Sequence, residues 1–344
     1  MVKSEYEERS VAILEDEAFI KLVENLIDPA EVCDLYFFQR FKAFLPKSSF
    51  KKMLAKTSRK TPYMGFVIEP YSLFMFFRLK DVEKARALLP DRYELTKSAV
   101  FAGEEADHYL GMGIFNTKAS TFWGTRLESY LIAKDRETGL VSWIFIDIIS
   151  DTLIALPSEG VADRNTKRAI YTTSSKGDVF LDIKEDRSGR RLHLRGNISR
   201  GVRRVLDQPL WVLGNTSIAH SRELAGNNED PFAVIFDPAE VEAAMDIPLD
   251  DISLRENSLF PALAEPEPCK VLCFPYAQHY IADSPGCRTS IKNERDMVEN
   301  YQRLAKLEGV KTFSTHGIKR MFLSSIILSI LISMVLLILL VLRW

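Results

Sequence analysis

Apolar positions follow three patterns along this chain. Near the start, Val11, Leu14, Phe19, Leu22, Val23 and Leu26 recur at roughly helical spacing until Asp28-Pro29 ends the run, which predicts an amphipathic helix. Cys33–Leu45 is aromatic-rich and is placed beside it. From Tyr63 onward the pattern becomes strand-like. Gly65–Leu79, with a break at Pro70, is followed by the candidate strands His108–Asn116, Thr125–Lys134, Leu140–Ile149, Ala169–Thr173, Val179–Lys184, Arg190–Arg195 and Val271–Ile281. Asp135–Gly139 reads as a hairpin loop in which Gly139 is free to take positive φ. Asp81 caps a short helix, Val82–Leu89, and Asp237-Pro238 starts another that runs to Met245. In Leu140–Ile149 the alternation nearly vanishes, so this strand is covered on both faces. The pattern therefore predicts an α+β fold, mainly antiparallel β, as a closed barrel or sandwich packed outside by a few helices.

The third pattern is unbroken. Phe322–Leu342 contains no charge and no proline, and at ~1.5 Å per residue it extends ~31 Å, close to a bilayer's ~30 Å hydrocarbon core. It is read as a C-terminal transmembrane helix. Lys311, His316, Lys319 and Arg320 precede the span and Arg343 follows it. That bias leaves residues 1–320 in the cytoplasm. The charged N-terminus has no apolar h-region and is not read as a signal peptide. With two residues after the span, the expectation is a tail-anchored, single-pass protein. The sequons at Asn197 and Asn215 would then remain unglycosylated, and a glycan there would reverse the orientation.

These shifts divide the chain into an N-terminal helical and basic segment (1–62), a β-rich domain (63–290), a juxtamembrane helix (291–320) and the anchor (321–344). Lys47–Lys60 carries six basic residues. It reads either as a contact for anionic lipid headgroups or as a solvated linker. The juxtamembrane stretch Asn293–Leu307 lines Met297, Tyr301, Leu304 and Leu307 along one side. It docks on the body or acts as a stalk through which copies associate.

A net charge of −2 with 27% charged residues leaves no basic footprint for nucleic acid. Four cysteines do not make a disulfide scaffold, and the cytosol keeps them reduced. Cys269, Cys273, His279 and Cys287 have donor chemistry suited to zinc, yet no pair has knuckle spacing. Neither a metal nor a cofactor is expected. No nucleophile elbow, phosphate-binding loop or dinucleotide fingerprint is present.

The order of elements resembles the acetoacetate decarboxylase-like superfamily. Three segments carry the likeness: Ala85–Leu95 (ARALLPDRYEL), the strand His108–Asn116 (HYLGMGIFN), and the turn into Phe122–Ala133 (FWGTRLESYLIA). The resemblance covers roughly Tyr63 to Ile281. It implies a cone-like barrel around an apolar pocket, with a lysine of depressed pKa that forms a Schiff base with a ketone. This chain departs at that point. After Gly124 it reads Thr125-Arg126-Leu127-Glu128, and arginine stays protonated and forms no such imine. Lys118 and Lys134 flank the segment without matching the position. Lysine-imine decarboxylation is therefore not expected.

On a strand, Arg126, Glu128 and Tyr130 share one face. If that face looks inward, Arg126 and Tyr130 are candidates to bind a carboxylate or phosphate, and Glu128 either is a general base or orients Arg126. Asp147 is a second catalytic candidate from the neighbouring apolar strand. His279 is a candidate ligand-binding or acid/base residue, the alternative being a satisfied structural histidine. The bland alternative for Arg126 and Glu128 is a solvent-facing or cross-strand pair. The expected function is a membrane-anchored protein that binds or transforms an apolar carbonyl or carboxylate compound, small or lipid-derived. The alternatives are a non-catalytic hydrophobic-ligand binder and a membrane adaptor.

Overall fold

A computed structural model describes residues 17–40, 63–156, 160–162, 164–226, 230–283, 291–306 and 314–343. The basic stretch Lys47–Lys60 and Cys287 lie outside them. The strands, in chain order, are β1 (Tyr63–Ile68), β2 (Ser72–Arg78), β3 (Tyr93–Leu95), β4 (Tyr109–Ala119), β5 (Trp123–Asp135), β6 (Val141–Ser150), β7 (Ile154–Leu156), β8 (Gly160–Ala162) and β9 (Arg168–Thr173). They continue with β10 (Asp178–Lys184), β11 (Arg191–Asn197), β12 (Val202–Val205), β13 (Ile218–His220), β14 (Val234–Ile235), β15 (Ala243–Asp246), β16 (Ile252–Asn257), β17 (Lys270–Phe274) and β18 (Gln278–Asp283).

Twelve strands form one branched sheet, in the order β12-β15-β17-β2-β4-β1-β18-β14, with β5, β3, β6 and β13 added through the free edge of β4. The branch occurs because β4 is long. Tyr109–Ile114 pairs with β2 and Thr117–Ala119 pairs with β1 on one edge, while Leu110–Lys118 pairs with β5 on the other. A four-stranded sheet, β16-β11-β10-β9, lies over one face. There Leu73, Met75, Leu110, Met112, Leu127 and Ile144 of the large sheet meet Val179, Leu181, Ile183, Leu192 and Leu194.

The closed, cone-like barrel expected from the sequence is not formed. The large sheet ends at β12 and β14, each with a single neighbour, so its edges do not meet. The double-sided apolarity that suggested closure has a different cause, since the ribbon β4–β5–β6 is covered by a second layer on each side. One cover is the four-stranded sheet. The other face is filled by rings of the large sheet's own strands, Phe74 and Phe76 of β2, Trp143 of β6 and Phe274 of β17, and is covered by Trp211 of the short helix Gln208–Trp211. The indole N–H groups inside this cluster are satisfied, Trp143 donating to the Leu210 carbonyl at 3.0 Å and Trp211 to that of Val100 at 3.0 Å.

Other departures from the sequence reading are local. The predicted strand Val271–Ile281 is two strands, β17 and β18, interrupted at Pro275. Proline cannot supply the ladder's N–H, so the pairing lapses there. The predicted helix from Pro238 to Met245 is one 3-10 turn, Pro238–Val241, followed by β15. Its cap forms as expected, with Asp237 accepting from the Ala239 N–H at 3.0 Å, but pairing of β15 with β12 and β17 takes over the remainder. The helix Val82–Leu88 starts under Asp81, which accepts from the Lys84 N–H at 3.0 Å.

Residues 17–25 are helical and lie against β1. The helix Glu294–Ala305 buries Met297, Tyr301 and Leu304, and Tyr301 packs on Phe19 with ring centroids 4.7 Å apart. Met297, Tyr301 and Leu304 of its apolar stripe are thus spent on the body, and Leu307 lies outside the described residues. The helix His316–Leu342 contains Phe322–Leu342, with mean hydropathy 3.2 and no burial within the chain. Among the described residues it is the one helix long and apolar enough to cross a membrane.

Close approach of residues 17–25 to β1 depends on Gly65. A Cβ at this position would sit 2.8 Å from Leu26 Cβ and 2.9 Å from the Val23 carbonyl oxygen. Gly65→Ala is expected to push the helix off the sheet and destabilise the fold by about 1–3 kcal/mol. Thermal denaturation of the full chain measures this, and an unchanged midpoint contradicts the packing.

Candidate functional site

The inward face of β5 carries Arg126, Glu128 and Tyr130, as the period-two pattern requires. All three are buried, at 6%, 7% and 8% exposure. Arg126 Nε lies 2.9 Å from Glu128 Oε1, and the Tyr130 hydroxyl donates to Glu128 Oε2. The carboxylate is therefore held from both sides, by a cation and by a phenol. Burial, and then the Glu128 charge, pushes the Tyr130 phenol well above its ordinary range, so it stays a donor.

Arg126 is less completely served than Glu128. Its Nε is buried and its N–H direction misses Glu128, leaving it without an aligned acceptor. The guanidinium plane lies 4.4 Å over the Phe122 ring, which sits in the turn before β5. That turn is fixed by Gly124. A Cβ there would fall 2.4 Å from Asp151 Oδ1, the atom that accepts from the Thr125 N–H at 2.9 Å. Desolvating a guanidinium is expensive unless its donors are met, so an arginine N–H with no aligned acceptor among the described residues is the feature that most needs an explanation.

A wall of rings continues from Tyr130 across the sheet. Tyr130 pairs with Phe145 of β6, and Phe145 pairs in turn with His220 of β13, so the three side chains form one row on one face. Ring centroids are 4.7 Å apart for Tyr130–Phe145 and 5.3 Å for Phe145–His220, the latter pair stacked. Phe232 closes on His220 at 5.8 Å. The His220 side chain makes no hydrogen bond among the described residues, and burial lowers its pKa to about 4. It is a neutral imidazole with unused nitrogen atoms, on the same face as the arginine. Tyr280 of β18 faces the same interior. It stacks on Phe66 at 4.9 Å and is likewise kept protonated by burial.

Sequence reasoning missed His220 because its position depends on a parallel pairing of β13 with β6, a contact made across more than seventy residues of chain. The available signal was local and weak, a histidine closing the short apolar run Ser217–Ala219.

The other expected site residues lie elsewhere. A register shift between Ser129 and Tyr130 places Asp147 opposite Ser129, hence on the face turned to the second sheet. There Arg190 Nη1 lies 2.8 Å from its Oδ2. Burial still raises the Asp147 pKa, with Arg190 opposing. His279 is next to Val67 and belongs to the face covered by residues 17–25. Its Nδ1 is 3.2 Å from Glu240 Oε1 and its backbone N–H donates to Glu240 Oε2 at 2.8 Å. Asp147 and His279 thus do not converge with Arg126, Glu128 and Tyr130. Cys273 points into the core between the two sheets, and Cys269 donates to the Phe76 carbonyl at 3.2 Å.

No lysine is buried among the described residues. Lys118 lies on the opposite face from Arg126, with its Nζ 2.8 Å from both Glu24 oxygens, and Lys134 is exposed. Imine chemistry needs an unprotonated, desolvated amine, and neither residue is placed to supply one.

The buried His220 makes stability depend on pH in a defined direction. Its folded pKa lies below its unfolded value, so its contribution is complete above about pH 6.5 and is lost as pH falls toward 4. From pH 7.5 to 5 this amounts to about 2 kcal/mol. Thermal denaturation across that range should show a shallower pH slope for His220→Phe than for the parent chain. Parallel slopes would show that His220 is not held neutral.

No protein-family model matches the chain, and no curated protein matches it. Among solved structures, an acetoacetate decarboxylase from Legionella pneumophila is similar at a TM-score of 0.41 and 10% identity, over 66% of this chain and 87% of that one. This is a weak, low-identity likeness at the level of the fold, and no residue role is carried over from it.

Proposed function

We propose that this chain is a membrane-anchored, cytosol-facing protein that binds an apolar carbonyl or carboxylate compound, small or lipid-derived, on the aromatic face around Arg126. The observation that carries this reading is the buried Arg126, which has an N–H without an aligned acceptor beside a wall of aromatic rings. An oxygen of the ligand would take that hydrogen bond, while the apolar body rests on Phe122 and its neighbours. Tyr130 fixes Glu128, and Glu128 fixes the arginine. Orientation toward the cytosol rests on the basic residues that precede the apolar span.

Binding is favoured over catalysis by the state of Glu128. Arg126 lies against one of its oxygens and the Tyr130 hydroxyl donates to the other, so neither oxygen is left over to face a ligand. Asp147 is paired with Arg190 on the other face and has no route to a ligand held by Arg126. Any chemistry at this site proceeds without a lysine imine.

Replacing Arg126 alone would strand Glu128 and destabilise the fold by about 3–5 kcal/mol, so the informative variant is Arg126→Met with Glu128→Gln. The probe is cis-parinaric acid, titrated by fluorescence into full-length protein in nanodiscs, with empty nanodiscs subtracted. A charge-assisted hydrogen bond contributes roughly 1.5–3 kcal/mol, so the double variant should bind about 10–100-fold more weakly. Equal affinity in parent and variant removes Arg126 from the binding site.

A further inference from the structure

The helix Pro29–Arg40 touches both the anchor and the Arg126 site. On one side it meets the base of the membrane helix. The Thr315 hydroxyl donates to Asp34 at 2.9 Å and its backbone N–H donates to Glu31. Lys319 forms an ion pair with Asp34, and the Phe37 and Phe322 rings meet edge to face at 6.5 Å. On the other side Leu35 packs with Phe122, Ala119 and Leu153, where Phe122 is the ring beneath Arg126. Tyr36 packs against the same cluster and lies close enough to the backbone of Leu153 and Trp123 and to the Arg126 charge to feel their fields.

These contacts fix a height. Phe322 opens the apolar span, so it lies at the boundary between hydrocarbon and headgroups, and Phe37 lies beside it. Phe37 is 50% exposed, and Trp123, whose backbone lies near the neighbouring Tyr36, is 43% exposed. Aromatic rings favour this interfacial zone. Arg320, in the first turns of the anchor helix, is exposed as well and suits an anionic headgroup.

We propose that the helix Pro29–Arg40 and the turn before β5 form a bilayer-contact surface, with Phe37 and Trp123 seated among phospholipid headgroups. The body is then docked on the membrane and does not swing from its anchor. Among the described residues it is the helix Pro29–Arg40 that covers the Arg126 site on this side, so the site comes within about one helix diameter of ~10 Å of the lipid. A compound dissolved in the bilayer would reach it without crossing bulk water. This rests on the reading that Phe322–Leu342 spans a membrane.

The test uses the full chain in phosphatidylcholine vesicles whose acyl chains are brominated at shallow or deep positions. With Trp344→Phe in place, Trp123 is the exposed indole, since Trp143 and Trp211 are buried. Its emission is the part lost on adding Trp123→Phe. A second reporter is Phe37→Trp on the Trp123→Phe, Trp344→Phe background. Both reporters should be quenched by shallow bromines more than by deep ones, and both should be shielded from aqueous iodide. Either reporter open to iodide and untouched by any brominated lipid overturns the docking. Resistance to alkaline carbonate extraction reads membrane insertion separately. A chain that inserts but fails the quenching test loses the docking alone, whereas a chain that is extracted loses the anchor on which both proposals stand.

Discussion

The ribbon β4–β5–β6 is apolar on both faces, and a ribbon of that kind must be covered twice. This requirement organises the rest of the domain. One side is met by a separate four-stranded sheet and its aliphatic side chains. The other is met by large rings lying over Gly111 and Gly113, where an added Cβ would fall 3.3–3.4 Å from Trp143 and Phe76 and 2.8 Å from Phe74. Covering both faces also encloses whatever polar groups β5 carries on its inner side. Arg126 and Glu128 are buried for this reason, since an open sheet with one solvated face would have left them in water.

Once enclosed, the two charges need each other. A guanidinium and a carboxylate withdrawn from water compensate their desolvation through pairing and further hydrogen bonds. Glu128 reaches that state, with Arg126 on one oxygen and Tyr130 on the other. Arg126 is met less well, because its Nε–H points past the Glu128 oxygen 2.9 Å away and finds no aligned acceptor among the described residues. The asymmetry gives the site its polarity. The acid is satisfied and the base retains a donor, so an incoming oxygen atom is better accommodated than an incoming cation. His220 adds a neutral imidazole to the same face without adding charge. A face built from one matched ion pair, protonated phenols and unionised imidazole suits a ligand that is mostly apolar and has one polar end.

The elements marked by local chemistry were legible in the sequence. The Asp81 cap, the break at Pro70 and the strands from β4 to β6 all fall close to where periodicity places them. The shared face of Arg126, Glu128 and Tyr130 follows from strand geometry alone. What escaped depends on contacts distant in sequence. Apolarity on both faces is the same signal whether a barrel closes or two layers stack, so the closed barrel could not be told from the open, layered sheet. The register shift beside Tyr130 turns Asp147 away from the site, and no residue pattern announces it. His220 reaches the site through a parallel pairing that no turn sequence specifies. The strand predicted over Val271–Ile281 treated Pro275 as tolerable, whereas a strand with neighbours on both edges cannot spare the N–H.

A ligand held on the Arg126 face should travel with the purified protein. Native mass spectrometry of the full chain released from nanodiscs tests it most directly, by comparing the parent with the variant carrying Arg126→Met and Glu128→Gln. The expected result is an adduct on the parent whose mass fits an apolar carboxylate or carbonyl compound, and its loss from the variant. A parent chain that carries no adduct, or an adduct retained by the variant, would contradict it.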